Sequence, residues 1–185
     1  MNTYNIAIIS SSIREGRKSN RVALFLHNFL KSQYGIIANK IDLKEYAFPI
    51  FEERLIYQTH HDAKTQDFAK KIKDAEGIIF IVPEYNGSYP ASLKNAIDLL
   101  VNEWYHKPVA LVGVSAGTFG GIQVIGALQS LLWKLKAWTV PGFLSISLVD
   151  TAFDEQGTPS SKEEMEKRTE QFLKELFWSI DLLKK

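Results

Sequence analysis

Three stretches of this sequence gather residues suited to holding a ligand. The first, residues 10–20, reads SSSIREGRKSN. It combines hydroxyls, an arginine fork and a run that opens a helix. Backbone N–H groups and the positive end of a helix favour an anion at such a place. Hydroxyl and guanidinium donors suit phosphate oxygens. The stretch is not a P-loop, because Arg17-Lys18-Ser19 lacks glycines at the required offsets. It is not a dinucleotide fingerprint either, since G-x-G-x-x-G is absent. A hydroxyl-rich loop with arginine donors and no glycine cradle fits a monophosphate better than a pyrophosphate. A plainer reading is a solvated basic loop in which Ser19 or Asn20 caps the following helix, and the two readings are compatible.

The second stretch, residues 83–90, reads PEYNGSYP. Asn86-Gly87 is a turn signal, because both residue types tolerate positive φ. Pro90 sits near a helix start, where a missing N–H costs little. A tight turn presents backbone amides and Tyr85 presents a flat surface, so the loop can grip a planar ring by edge and face. It reads equally well as a rigid strand-to-helix turn with Tyr85 over the core. The third stretch, residues 115–121 (SAGTFGG), follows another strand. Its glycines allow either a ligand or a packed helix entry to approach closely.

These loops need strands before them and helices after them, and the periodicity supplies both. Residues 4–10 form a short β-branched apolar run, predicting a strand. Val22, Leu24, Phe25, Phe29 and Leu30 predict a helix, and 36–43 a weaker strand. Residues 44–61, with Pro49, read as a loop. Residues 63–75 predict an amphipathic helix with Phe68, Ala69 and Ile72 on one face. GIIFIV (77–82) and VALVGV (109–114) are nearly all apolar, the pattern of central parallel strands covered on both faces. Helices are predicted over 91–104, 120–136 and 162–183, with a last strand within 141–148. The alternating order implies an α/β fold, a parallel sheet with helices on both faces. In such sheets ligands bind beyond the carboxyl ends of the strands, where all three loops fall.

The chain has 185 residues, 45% hydrophobic and 23% charged, with a formal net charge of +1. Its length fits one domain with a sizeable core. Near-neutral charge gives no field for nucleic acid. There is no cysteine, which excludes disulfides and thiol chemistry and fits a reducing cytoplasm. The apolar runs are too short to cross a bilayer, and the N-terminus lacks the layout of a signal peptide.

Pro83-Glu84-Tyr85-Asn86-Gly87-Ser88, then Pro90, then Leu93-Lys94-Asn95-Ala96-Ile97-Asp98 closely resembles the signature of the NADPH-dependent FMN reductase family. That family includes FMN-dependent quinone, azo-dye and chromate reductases. Ser12, Arg14, Ser19 and Asn20 are similar to its G-S-x-R-x-x-S-x-N pattern. Here Ser11 replaces the glycine, the stretch from Arg to Ser is longer, and no residue separates Ser19 from Asn20. The resemblance spans residues 4 to about 148. It implies a flavodoxin-like three-layer fold whose five-stranded sheet carries FMN at its carboxyl edge, with 1–185 as a single FMN-binding domain. Ser12, Arg14, Ser19 and Asn20 would hold the phosphate, and Pro83, Glu84, Tyr85, Asn86 and Gly87 the isoalloxazine. Ser115, Gly117 and Gly120 would border its pyrimidine side. The resemblance also implies NADPH or NADH as electron donor, a small-molecule acceptor such as a quinone, azo compound, metal oxyanion or free flavin, and a homodimer or homotetramer. Some of Leu99, Leu100, Trp104, Leu128, Leu131, Leu132 and Trp133 exceed what one side of a sheet needs, and family members pair through such helices; they read also as core residues or scattered exposed apolars.

Other features carry less. His60-His61 beside Asp62 does not project ligands to one point, so no metal is expected. Asp98 and Asp150 read as capping or solvated residues. Ser115 has no triad partners and no G-x-S-x-G elbow. The flavin would carry the chemistry, so no side-chain acid or nucleophile is assigned. The competing expectations are a flavodoxin-type electron carrier and a scaffold or sensor that binds no flavin.

Overall fold

A computed structural model describes residues 4–184. The sheet is wholly parallel, in the order β2-β1-β3-β4-β5, with β6 also pairing β4. Its strands are β1 (Asn5–Ser10), β2 (Ile37–Asp42), β3 (Gly77–Pro83), β4 (Pro108–Val114), β5 (Trp138–Thr139) and β6 (Leu144–Ile146). This is the flavodoxin-like order, which reverses direction between β1 and β3. The strand expected within 141–148 is β6, and β5 is an additional short strand before it. Pro141 has no N–H to give β4, and Gly142 takes φ +81°, so the ladder breaks between them.

The helices are α1 (Ser19–Tyr34), α2 (Leu43–Tyr46), α3 (Ala63–Asp74), α4 (Ala91–Asp98), α5 (Ile122–Lys134), α6 (Val149–Ala152) and α7 (Lys162–Leu183). Two cores lie on opposite faces of the sheet. Ile78, Phe80 and Val82 of β3 pack with α3, α4 and α5, while Ile79 and Ile81 pack with α1 and α7. That alternation is the period of two built into any strand. On α1, Val22, Phe25, Leu26, Phe29 and Leu30 form one buried stripe. Gly35, at φ +60°, closes this helix by donating to Leu30 and Lys31 carbonyls.

Three boundaries differ from the pattern, each for a local reason. α4 stops at Asp98 instead of running to Trp104. The Leu99 carbonyl accepts from Leu55 N–H at 2.9 Å, and the Ile97 carbonyl accepts from the Trp104 indole at 3.1 Å, so neither propagates the helix. α5 begins at Ile122, because Gly120 and Gly121 take φ +62° and +75°. Residues 44–61 are not all loop: α2 opens them, capped by Asp42, and Leu55–Tyr57 forms a 3-10 turn. Asn95 on α4 fastens this segment, accepting from Phe51 N–H at 2.7 Å and donating to the Pro49 carbonyl at 2.8 Å.

Candidate flavin site

The loop after β1 is fixed before any ligand is considered. Ser11 donates its hydroxyl to the Ile81 carbonyl at 2.9 Å, and Ser92 on α4 donates to the Ser11 carbonyl at 2.7 Å. Arg17 spreads its fork over the Asp42 carboxylate at 2.5 and 2.6 Å and also donates to the Ser12 carbonyl at 2.6 Å. Asp42 is 1% exposed, at the carboxyl end of β2. The bidentate pair therefore pins the loop to the sheet edge. Sequence reading missed it, because Arg17 looks like one more basic residue and nothing in the spacing links it to Asp42.

The remaining cations of this region separate clearly. Lys18 pairs with Asp150. Arg21 donates to the Phe153 carbonyl at 2.9 Å and approaches Glu155 at 3.8 Å. Among the described residues Arg14 has no carboxylate partner; its guanidinium carbon lies 5.8 Å from the Tyr85 ring centroid. Asp150 is thus an ion-paired residue of the cleft, neither a cap nor merely solvated.

α1 starts at Ser19 with Lys18 in the capping position and no side-chain cap. The Ser19 hydroxyl, in a residue 3% exposed, and the buried Asn20 amide oxygen have no hydrogen-bond partner. A buried hydroxyl left unpaired is costly. Here it lies at the positive end of a 16-residue helix. Neither residue caps the helix, contrary to the plainer sequence reading.

The second loop is a two-residue turn. Tyr85 and Ser88 exchange backbone bonds at 2.8 and 3.1 Å, with Asn86 at φ +51° and Gly87 at φ +76°. Among the described residues the Asn86 and Gly87 N–H groups have no protein acceptor. The Tyr85 hydroxyl meets the Ser12 hydroxyl at 2.6 Å, which ties the first loop to the second. The Glu84 carboxylate accepts from Gln123 N–H at 3.1 Å, at the N-terminus of α5. It thereby braces the second loop against the helix dipole.

The third loop is tied down by its own Ser115 and by two serines in and just after β6. Ser115 donates to the Gly117 carbonyl at 2.8 Å, Ser145 to Gly120 at 3.0 Å and Ser147 to Thr118 at 2.9 Å. A Cβ on Gly120 would sit 1.9 Å from the Ser145 hydroxyl, whereas one on Gly117 would meet nothing within 4 Å. Gly120 is a packing glycine; Gly117 is open.

A cleft of about 180 Å³ joins the three loops. Arg14, Ser19, Pro83, Glu84, Tyr85 and Ser115 line it, with Arg17, Lys18, Val114, Ala116, Val149 and Asp150. Of the expected site residues, Ser12, Asn20, Asn86, Gly87, Gly117 and Gly120 are not part of that lining. A larger hollow of about 750 Å³ lies along residues 46–65 and shares no residue with the three loops. Size favours that hollow, but the buried, unpaired Ser19 hydroxyl lines the cleft at the start of α1 and gives it a donor for an anion. His60 lines the larger hollow, and the His61 ring is bonded to the Gln58 carbonyl at 3.0 Å. Among the described residues no three His, Asp or Glu side chains converge as metal ligands. No helix among them is long and apolar enough to cross a membrane.

Residues 4–150 match the sequence profile of the family described as NADPH-dependent FMN reductase. The chain belongs to that family. An NAD(P)H-dependent FMN reductase of Saccharomyces cerevisiae is 34% identical over 150 residues, covering 74% of this chain and 78% of the relative. A quinone reductase of Pseudomonas putida is 30% identical over 135 residues, covering 70% and 69%. Among solved structures, the flavoenzyme NAD(P)H:(acceptor) oxidoreductase FerB of Paracoccus denitrificans superposes with a TM-score of 0.78 over 96% of this chain and 97% of that one, at 20% identity. Membership brings the chemistry of the family with it: an oxidoreductase enzyme that works with FMN and a nicotinamide donor. These relatives are named as reductases, so the electron-carrier alternative finds no support in them.

The residues present fit FMN. An orphaned buried hydroxyl at the start of α1 and a free arginine suit its phosphate. Unpartnered amides in the second loop suit the acceptor edge of its ring.

Proposed function

We propose that the whole chain is a single flavodoxin-like domain that binds FMN in this cleft, oxidises NADPH or NADH, and reduces a small molecule of the quinone class. The observation that carries the reading is the Ser19 hydroxyl, buried and unpaired at the N-terminus of α1 and facing a cleft walled by Tyr85. Ser19 and Asn20 would bond the phosphate directly, with Arg14 closing over it. Ser12 would act through Tyr85, holding its ring by the shared hydroxyl bond. The Asn86 and Gly87 N–H groups would meet the ring edge, and Glu84 would keep their turn in place through Gln123. Ser115 and Gly117 would border the ring from the third loop.

When bound, FMN supplies the hydride-accepting and electron-donating chemistry. The chain would orient it by its phosphate and by its ring. We assign no side chain as acid, base or nucleophile. The quinone class rests on the quinone reductase relative. A chain without cysteine suits the cytoplasm. Pairing into a homodimer through α5 is supported by Trp133, which is 83% exposed on that helix. Most other residues expected there, among them Leu99, Leu100, Trp104, Leu128 and Leu132, are core.

The deciding experiment is a titration of flavin fluorescence with wild type and Arg14→Ala. Loss of the arginine should weaken FMN binding by roughly 10- to 100-fold, the scale of a charge-assisted hydrogen bond. Equal affinity would remove Arg14 from the site. Anaerobic mixing of the FMN-loaded protein with NADPH and then NADH should bleach the flavin absorbance. Failure with both donors would defeat the enzymatic reading. Sedimentation at a monomer mass would defeat the dimer.

A further inference from the structure

The phosphate end of the cleft contains a carboxylate, an unexpected group beside an anion site. Asp150 lies in the first turn of α6 and Lys18 immediately precedes α1; both line the cleft, and their side chains are ion-paired. They are 46% and 38% exposed, so neither is needed to complete the core. Arg17 is committed to Asp42, and Arg21 to the Phe153 carbonyl. Glu84, the other carboxylate of the cleft, is bonded to Gln123 N–H on the side of the second loop. The phosphate end therefore offers one uncommitted cation, Arg14, with Lys18 neutralised by Asp150.

A phosphomonoester carries about −1.5 to −2 charges near pH 7. A site made for the tightest grip would leave Lys18 free and place no carboxylate beside it. We propose that Asp150 is an affinity-setting residue: it holds Lys18 away from the phosphate and keeps FMN exchangeable. The inference rests on the reading of this cleft as the FMN phosphate site. Its logic is that of an unfavourable element built against one ligand. A flavin bearing phosphate meets the carboxylate, whereas riboflavin, with the same ring and no phosphate, does not. Asp150→Asn keeps the shape, removes the charge and releases Lys18.

The test titrates the whole chain with FMN and with riboflavin, followed by flavin fluorescence, in wild type, Asp150→Asn, Lys18→Met and the double variant. Asp150→Asn should bind FMN about fivefold more tightly, which is about 1 kcal/mol. Its riboflavin affinity should be unchanged. The gain should shrink with added salt, because exposed charges are screened. Lys18→Met alone should weaken FMN binding less than about twofold, the scale of an exposed pair already neutralised. In the Asp150→Asn background it should abolish the gain. Asp150→Ser serves as a second charge-removing variant should the first fold poorly. Unchanged or weaker FMN binding in the charge-removed variants would overturn the proposal, as would an equal gain for riboflavin. Wild type that binds no FMN would fail the cofactor reading itself, a separate result visible before any variant is made.

Discussion

The loop after β1 and the loop after β4 look alike on paper, since both carry hydroxyl side chains and glycine and both lead into a helix. In the structure they are opposites. After β4 the hydroxyls of Ser115, Ser145 and Ser147 all reach loop carbonyls, and Gly120 is pressed onto Ser145. After β1 the loop is held from beneath by Arg17 and Asp42, and the hydroxyl of Ser19 is left buried with nothing to bond. The hydroxyls of Ser10, Thr169 and Ser179 are buried and unpaired as well, so what sets Ser19 apart is its place on the cleft at the start of α1. Composition alone does not separate the two.

The largest effect should come from the support of the first loop. Asp42→Ala leaves the Arg17 fork 12% exposed and unpaired, and removing one partner of a buried pair costs about 3–5 kcal/mol. At about 2–4 °C per kcal/mol for a chain of this size, the melting temperature should fall by roughly 6–20 °C. A shift of a degree or two would mean that the hydroxyl bonds, not the ion pair, hold this loop. Next is the scaffold glycine. Gly120→Ala combines a positive φ with a clash on Ser145 and should destabilise by about 2–4 kcal/mol. Gly117→Ala should stay within about 0.5 kcal/mol in thermal melts. Equal losses at the two positions would erase the contrast within the β4 loop.

Ser19→Ala sharpens the comparison differently. Deleting an unsatisfied buried hydroxyl should leave the ligand-free protein as stable or up to about 1 kcal/mol more so, while FMN binding weakens by roughly tenfold. Loss of stability together with unchanged binding would make Ser19 a structural residue like Ser145. A further small effect belongs to neither loop. The Asp67 carboxyl is held below its usual range by hydrogen bonds from Lys71 and Tyr46. Its contribution is present above the ordinary carboxylate pKa and is lost as pH falls through the lowered one. The group is half-exposed, so Asp67→Asn should cost under about 1 kcal/mol at neutral pH and nothing in strong acid. Chemical denaturation at both pH values checks this.

The sheet and its helices were legible because their signals are local. GIIFIV and VALVGV are short β-branched apolar runs that form covered strands, and the stripe on α1 has the period of the helix it forms. The ends were less legible, since α4 is cut short by Leu55 and Trp104, which approach from outside its pattern. Within the site, Arg14, Ser19 and Tyr85 were readable from motif and position, and the cleft brings them together. Arg17, Lys18, Asp42 and Asp150 were not, because their meaning lies in pairs that only tertiary structure forms. Asn95 was read as part of a signature, but its two bonds to residues 49 and 51 depend on a contact no spacing rule contains.

Because every strand runs the same way, the cleft occupies one rim of the sheet and the opposite rim is left to turns such as the one at Gly35. The chain has no thiol of its own, so a single cysteine placed at the exposed Gln33 would be a unique chemical handle. Protein anchored there on gold or on a bead would present its cleft outward to the bath, in one orientation.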